Sequence, residues 1–318
     1  MITKKAAIID MGTNTFHLVL VELFEDHFHT IYKEKIPVKI GQGGISHNTI
    51  HPDARKRAFH TLQHFKNLID GESITEIFAF ATSGVRNAHN GSEFVVEIKD
   101  RFGIDVQVID GIQEAQMIYE GIRLSGSLNG QVYLMVDIGG GSVEFIIGTS
   151  QEALWKQSFE IGGQRMLDLF HYHDPILQEE VENLTSYLEK ILDQLAEAIR
   201  LFRPTGLVGA SGTFDTLTDI YFASLHQSKS RDQHTFQLPR DEFERIAKKL
   251  LTLNKEDRLN IPGMIPMRVD MIVVASCLIE YILKLVPVDT LICSSFALKE
   301  GAISQLMGKH SLAAVSSR

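Results

Sequence analysis

One short pattern occurs twice in this 318-residue chain: an apolar strand, an aspartate, a turn rich in glycine or hydroxyl groups, and a second apolar strand. The two copies align without a gap, so that Asp10 falls on Asp137, and Thr15 falls on Ser142. An internal repeat of this kind indicates two structurally related halves. Because each copy has the pattern of two buried strands joined by a turn, the repeat predicts two hairpin-led halves that face each other across one cleft.

The turns hold more glycines and oxygen-bearing side chains than a tight hairpin needs. Consecutive glycines let backbone N–H groups converge on an anion, and an aspartate at a strand end can hold a divalent cation. A merely tight hairpin would leave Asp137 and Glu144 unexplained. We therefore predict metal binding by Asp10 and Asp137, and phosphate binding by the turn residues. These are Gly12, Thr13, Asn14 and Thr15 in the first copy, and Gly139, Gly140, Gly141 and Ser142 in the second.

A third loop of glycine and hydroxyl residues lies between a short apolar run and a helical pattern. Its sequence is Gly209-Ala210-Ser211-Gly212-Thr213. A loop that leads into a helix adds the N–H groups of the helix N-terminus to an anion site. Gly209, Ser211, Gly212 and Thr213 are therefore further predicted phosphate ligands.

Three other segments carry candidate polar groups. Ser83 and Arg86 follow a strand and resemble an anion-binding corner, but a helix cap and a surface charge would explain them equally well. Glu114 lies in the first turn of a predicted helix, where the helix dipole alone favours a carboxylate. His60 and His64 are one helical turn apart, which permits metal ligation, although an exposed helix face is the default interpretation.

Composition limits the classes of partner. The net charge is −9 with no compensating basic tract, which argues against nucleic acid. No uncharged run is long enough to span a membrane, and the first residues lack the apolar segment of a signal peptide. The only two cysteines lie in apolar runs, as core residues do. These observations predict a cytoplasmic protein.

Alternating strand and helix patterns predict an α/β fold with two domains. We place the N-terminal domain at residues 1–122, with the C-terminal helix 296–310 packed back on it, and the second domain at residues 123–295. Within the second domain the pattern predicts one long helix from Asp174-Pro175 to about Phe202 and a polar surface loop over residues 223–239.

Seven segments, in order along nearly the whole chain, resemble the exopolyphosphatase/guanosine pentaphosphate phosphatase family of the actin–sugar kinase–Hsp70 superfamily. They are residues 10–15, 81–90, 111–115, 137–144, 209–213, 268–270 and 297–301. The resemblance implies two similar actin-like (ribonuclease H-like) lobes with a cleft between them. It also implies a magnesium-dependent hydrolase (manganese being a possible substitute) that releases terminal phosphate, and a homodimer.

The resemblance also assigns roles by position. Glu114 matches the catalytic glutamate of the family, and Asp137 and Glu144 match its metal- and water-organising acids. Arg86 and Arg165 match its phosphate-contacting arginines. Lys39 and Arg268 would add positive charge to the cleft.

Three departures from the family pattern are small: Gly84 in place of alanine, Asp110 in place of serine and Lys299 in place of arginine. The chain resembles the short form of the family. Inorganic polyphosphate and guanosine pentaphosphate both remain open as substrates. The alternatives are an ATP-dependent small-molecule kinase, and an ATP-binding protein of the actin or Hsp70 type.

Overall fold

The computed structural model describes residues 4–25, 27–230 and 232–316. The chain divides into two compact units, one formed by Met1–Gly121 with Leu298–Arg318 and the other by Ile122–Ala297. The elements of the first unit are β1 (Lys4–Met11), β2 (Phe16–Leu23), β3 (Phe28–Ile36), α1 (Pro52–Gly71), β4 (Ile77–Ala81), α2 (Ser83–Arg86), α3 (Gly91–Phe102), β5 (Val106–Val108), most of α4 (Gly111–Leu124) and α12 (Leu298–Ser316).

The second unit carries a longer series of elements, with a 3-10 turn at Pro266–Arg268 before its last helix. They are β6 (Tyr133–Ile138), β7 (Val143–Gly148), β8 (Ala153–Phe159), α5 (Gly163–Phe170), α6 (Gln178–Ile191), α7 (Asp193–Phe202), β9 (Gly206–Ala210), α8 (Ser211–Ser224), β10 (Thr235–Pro239), α9 (Arg240–Thr252), α10 (Lys255–Leu259), α11 (Met271–Leu285) and β11 (Thr290–Ser294).

The two sheets share one topology. The first has the order β3-β2-β1-β4-β5, and the second contains β8-β7-β6-β9-β11 in the same sense, with β10 added at its edge. In both sheets the first three strands pair antiparallel and the remaining pairs of this series are parallel. The predicted α/β class and the repeat of hairpin-led halves are therefore confirmed at the level of strand order and direction.

Each unit has its own apolar core. In the first, Ile9 and Leu18 of the leading hairpin pack with Phe65 of α1 and Phe94 of α3. In the second, the leading hairpin packs with helices that include α11, a helix whose residues are buried along almost its whole length. A helix that is apolar on all sides belongs inside a core. Among the described residues, no helix is both long and apolar enough to cross a membrane.

Two predictions about the second unit are wrong in detail. The predicted long helix is two helices, because Leu192 leaves the helical conformation with ψ at 20°. Leu192 is itself fully buried, so the break keeps the apolar sides of α6 and α7 on the core. The predicted polar loop ends in strand β10, where Phe236 and Leu238 are buried and alternate with more exposed residues. A strand of five residues within a polar stretch gives only two apolar positions as a signal.

Candidate active site

The two aspartates of the repeat occupy equivalent places in their sheets. Asp10 on β1 pairs with His17 on β2, and His17 Nδ1 lies 3.8 Å from Asp10 Oδ2. Asp137 on β6 pairs in the same way with Glu144 on β7. Directly opposed residues of antiparallel strands project from the same face of the sheet. One aspartate therefore stands beside a histidine, and the other stands beside a second carboxylate.

Asp137 and Glu144 are buried neighbours, 5% and 1% exposed respectively. Ser158 on β8 donates its hydroxyl to Glu144 Oε1 at 2.7 Å. Like charges placed opposite each other on a sheet repel, and burial removes the water that would otherwise solvate them. Two adjacent buried carboxylates thus form a local environment that favours a cation.

The second glycine turn, residues 139–142, is fastened to helix α5 through its carbonyl groups. The N–H of Gly163 donates to Gly139 O at 2.8 Å, and the N–H of Gln164 donates to Gly140 O at 2.9 Å. In a trans peptide the carbonyl points opposite to the N–H of the same unit. The N–H groups of Gly140 and Gly141 therefore point away from α5, as an anion-binding turn requires.

Arg165 on α5 lies beside the same turn. Its Nε donates to Gly141 O at 3.0 Å, and its Nη2 lies 3.3 Å from Glu160 Oε2. The preceding Gly162 packs so closely on the turn that a Cβ there would lie 2.5 Å from Gly140 O. The structure thus brings Arg165 together with the predicted phosphate-binding glycines.

The first glycine turn, residues 12–15, is closed by a hydrogen bond from the Gly12 N–H to Thr15 O at 3.1 Å. The N–H of Lys39 donates to Asn14 O at 2.8 Å, and the N–H of Gly41 donates to Thr13 O at 3.1 Å. A neighbouring loop therefore holds two carbonyl groups of this turn, much as α5 holds those of the second.

Arg86 and Glu114 form a largely buried ion pair in the first unit. Arg86 Nη1 lies 2.8 Å from Glu114 Oε2 and donates also to Ile109 O at 3.0 Å. Their side chains are 16% and 8% exposed. Ser83, in the same corner, is 1% exposed and accepts a hydrogen bond from Asn87 Nδ2 at 3.2 Å. Arg86 is therefore not an exposed surface charge, and Glu114 does more than face the helix dipole.

The third loop, residues 209–213, leads directly from β9 into α8. Ser211 has φ at +70°, a left-handed conformation that costs free energy in a residue other than glycine. Gly212 is covered by the guanidinium of Arg268, and a Cβ at Gly212 would lie 2.6 Å from Arg268 Cζ. The loop therefore has a cation placed directly over its glycine.

Arg268 has an unusual environment for a cation. Its Nε is buried and has no hydrogen-bond partner among the described residues. Burial lowers the pKa of the guanidinium, whereas the charges of Asp215 and Asp137 act in the opposite direction. The guanidinium lies beside the N-terminus of α8, which is the positive end of the helix dipole. An anion bound there would be attracted by both positive charges and would partly neutralise them.

The structure gives no support to a histidine metal site on α1. His60 is exposed, and His64 Nε2 lies 2.8 Å from Glu34 Oε2. Within residues 4–25, 27–230 and 232–316, no group of three or more histidine, cysteine, aspartate or glutamate side chains is arranged to hold a metal ion.

Sequence reasoning missed two residues that tune the candidate site. Ser158 lies on β8 directly opposite Glu144 of β7, and this register places its hydroxyl where it donates a hydrogen bond to that carboxylate. Asp215, on the first part of α8, provides a negative charge near Arg268. The sequence contains a signal only for Ser158, because alternation along a strand predicts which residues share a face.

The repeated topology and the paired glycine turns define an actin-like α/β protein with ribonuclease H-like units. Comparison with known sequences narrows this class further. The chain belongs to the Ppx/GppA phosphatase family, whose sequence model matches residues 19–310.

Individual relatives agree with this assignment. The chain is 27% identical over 305 residues to a guanosine-5'-triphosphate,3'-diphosphate pyrophosphatase of Aeromonas hydrophila, covering 96% of this chain and 60% of that protein. The chain therefore spans about 60% of the length of that relative. An exopolyphosphatase from Cytophaga hutchinsonii, known from its crystal structure, is 41% identical in sequence to this chain. The two structures superpose with a TM-score of 0.94 over 96% of this chain and 98% of that one. The Aquifex aeolicus member of the Ppx/GppA family has the same fold, at 23% identity and a TM-score of 0.79, with coverage of 96% and 98%.

Proposed function

We propose that this protein is a phosphoanhydride hydrolase that releases terminal orthophosphate from inorganic polyphosphate, from guanosine pentaphosphate, or from both. The observation that carries the proposal is the buried pair of carboxylates, Asp137 and Glu144, beside a glycine turn whose N–H groups point away from α5. The exopolyphosphatase of Cytophaga and the guanosine-5'-triphosphate,3'-diphosphate pyrophosphatase of Aeromonas, both similar to this chain, support the same reaction class.

The donor set fits a magnesium ion, and manganese would fit as well. Mg²⁺ is usually held by one or two carboxylates, and water and substrate phosphates complete its shell. Asp137 and Glu144 supply two carboxylates on one face of a sheet, while Asp10 is the equivalent aspartate of the first unit. When bound, the ion would neutralise the charge of the phosphate oxygens.

The other groups have distinct roles in this proposal. Phosphoryl transfer needs charge neutralisation and a nucleophile held in line, with little covalent help from the protein. The N–H groups of the three loops would hold phosphate oxygens, and Arg86, Arg165 and Arg268 would supply positive charge. Glu114 would orient the attacking water and accept its proton. Its hydrogen bond with Arg86 fixes the carboxylate in one direction.

Phosphate release is the direct test. Polyphosphate, guanosine pentaphosphate and ATP are compared side by side, with magnesium and with excess EDTA. We expect release from one or both of the first two, and loss of release in EDTA. Turnover of ATP only with a small-molecule acceptor would favour a kinase, and ATP binding without turnover would favour a protein of the actin or Hsp70 type.

A matched pair of variants separates the metal role from net charge. Asp137→Asn removes one carboxylate of the pair, and Asp289→Asn removes an exposed carboxylate of the same unit. We expect the first to require much more magnesium for the same rate and the second to behave as the wild type. Equal magnesium dependence in both would refute a metal role for Asp137.

We also propose a cytoplasmic homodimer with no nucleic-acid or membrane partner. The two thiols, Cys277 and Cys293, are free and buried, as is usual in a reducing compartment. The net charge of −9 disfavours nucleic acid. The homodimer rests on family resemblance, and sedimentation at micromolar concentration tests it: a monomer would contradict it.

A further inference from the structure

Arg258 on α10 is a fully buried cation in the second unit. Its Nη1 donates to Asp174 Oδ1 at 2.6 Å and to Leu253 O at 2.6 Å, and its Nε donates to Val269 O at 3.1 Å. One side chain thus joins the connection between α5 and α6, the segment before α10 and the segment before α11.

The contact with Val269 has the closest relation to the candidate site. Val269 directly follows Arg268, whose guanidinium covers Gly212 of the third loop. The next residue, Asp270, is also held from α10, because Lys255 Nζ lies 2.7 Å from Asp270 Oδ2. Immediately after Arg268, two consecutive residues are therefore fastened to the same short helix.

Asp174 completes the link on its other side. Its Oδ2 accepts a hydrogen bond from the Lys255 N–H at 2.7 Å, and its Oδ1 accepts the bond from Arg258. Asp174 lies four residues after the end of α5, the helix that carries Arg165 and fastens the second glycine turn. The Arg258–Asp174 pair therefore connects the segment that follows α5, the helix of Arg165, with the segment that contains Arg268 and Val269.

Stability alone is a weak explanation for such a pair. Arg258 is fully buried, whereas the Asp174 side chain is 36% exposed. Removing the guanidinium from water costs free energy, and its attraction to a partly solvated carboxylate offsets that cost only in part. A cation with several fixed donors does, however, restrict the geometry of every segment that it contacts.

We propose that Arg258 is a positioning residue that holds Arg268 over the third loop through its hydrogen bond to Val269 O. This inference rests on the proposed function, because Arg268 is taken to face the substrate phosphates. A positioning residue of this kind should affect substrate affinity more than the rate of the chemical step.

The test uses the full chain and the variant Arg258→Lys. Lysine keeps a positive charge beside Asp174 but lacks the Nε–H that reaches Val269 O. We expect KM for polyphosphate to rise about tenfold, the factor that corresponds to the loss of one hydrogen bond between a displaced Arg268 and a substrate phosphate, with kcat changed less than twofold. Arg245→Lys is the matched control, because Arg245 pairs with Glu242 on the surface helix α9 and should leave both constants unchanged.

A double-mutant cycle shows whether the effect passes through Arg268. On an Arg268→Met background, Arg258→Lys should change kcat/KM less than twofold, because the residue that it positions is gone. A tenfold loss that persists on that background would overturn the proposal.

Hydrogen exchange gives a readout that does not depend on activity. In Arg258→Lys, amides of residues 266–271 should exchange at least about tenfold faster than in the wild type, and in Arg245→Lys at the wild-type rate. Unchanged exchange would overturn the proposal. If the wild type releases no phosphate from any substrate, the proposed function fails, and the exchange result alone decides the role of Arg258.

A second variant covers the case in which Arg258→Lys does not fold. The double variant Asp174→Asn with Arg258→Met removes both charges together, so no buried charge is left without its partner. It breaks the bond to Val269 O in the same way, and the same two results are expected from it.

Discussion

Replacing Glu114 by glutamine distinguishes a hydrolase from a protein that only binds phosphate. The amide has nearly the shape of the carboxylate and keeps an oxygen that can accept from Arg86 Nη1, which lies 2.8 Å from Glu114 Oε2 in the wild type. The amide cannot accept a proton from water. The substitution therefore removes the proposed chemistry while leaving the corner of the first unit in place.

The structure sets the expected cost to stability. Glu114 is buried and its hydrogen bond with Arg86 joins two charges. The Arg86 guanidinium keeps its charge, so the amide still accepts a charge-assisted hydrogen bond but no longer neutralises that cation. The free energy of unfolding should therefore fall by no more than the full value of such a bond, about 1.5–3 kcal/mol. A carboxylate that only faced the helix dipole would cost a few tenths of a kcal/mol.

The catalytic effect should be much larger. Loss of a general base typically lowers turnover by about 10² to 10⁴, which is about 2.7–5.5 kcal/mol of activation free energy. A domain with an unfolding free energy of about 5–15 kcal/mol stays largely folded after losing about 1.5–3 kcal/mol. Unfolding therefore cannot account for a hundredfold loss.

The assay measures phosphate release, substrate binding and urea unfolding on one preparation of Glu114→Gln. Glu120→Gln is the control, because Glu120 lies on the same helix and accepts from Gln116 Nε2 at 2.9 Å. We expect substrate binding to persist in both variants and turnover to fall only in the first. Turnover within threefold of wild type in Glu114→Gln would refute the general-base assignment.

Four further predictions follow from the surroundings of individual side chains. Arg86→Ala should raise KM by about 10- to 100-fold, as loss of a charge-assisted phosphate bond of about 1.5–3 kcal/mol requires, and an unchanged KM would remove its role in binding. Gly162→Ala should lower Tm and turnover together, because a Cβ there meets the backbone of the second glycine turn, and calorimetry with the phosphate assay checks both. Burial raises the pKa of Cys277 and Cys293 to about 12, so neither should react with a thiol reagent at pH 8 until urea unfolds the chain. Burial raises the pKa of the Asp174 carboxyl, but hydrogen bonds from the Arg258 side chain and the Lys255 N–H have the larger effect and lower that pKa. The interaction of Asp174 with these donors should therefore stabilise the fold above about pH 4 and lose this effect at lower pH. In urea titrations, the stability of Asp174→Asn should depend less on acid pH than that of the wild type.

The sequence by itself determined the features that depend on local pattern. Asp10 and Asp137 could be matched because each follows an apolar strand and precedes a turn of glycine and hydroxyl residues. The strand order of both sheets agrees with that repeat. Such local patterns can be recognised in the sequence because the signals for strands and turns extend over only a few residues.

Short elements within polar stretches were harder to predict from the sequence. Strand β10 has two buried side chains, Phe236 and Leu238, within a stretch that otherwise has the composition of a loop. Its pairing with β11 supplies the hydrogen bonds that make it a strand. Sequence composition could not indicate that partner, because β11 lies about fifty residues further along the chain.

Only the tertiary structure decided how the charged groups are paired. Arg86 and Glu114 are 28 residues apart in the chain, and Arg258 and Asp174 are 84 apart, yet each pair is joined by a short hydrogen bond. From the sequence, Arg86 could equally have been a surface charge. The choice depends on burial and on distance, because a charge removed from water must find a partner, and which partner it finds is set by the packing of the whole unit.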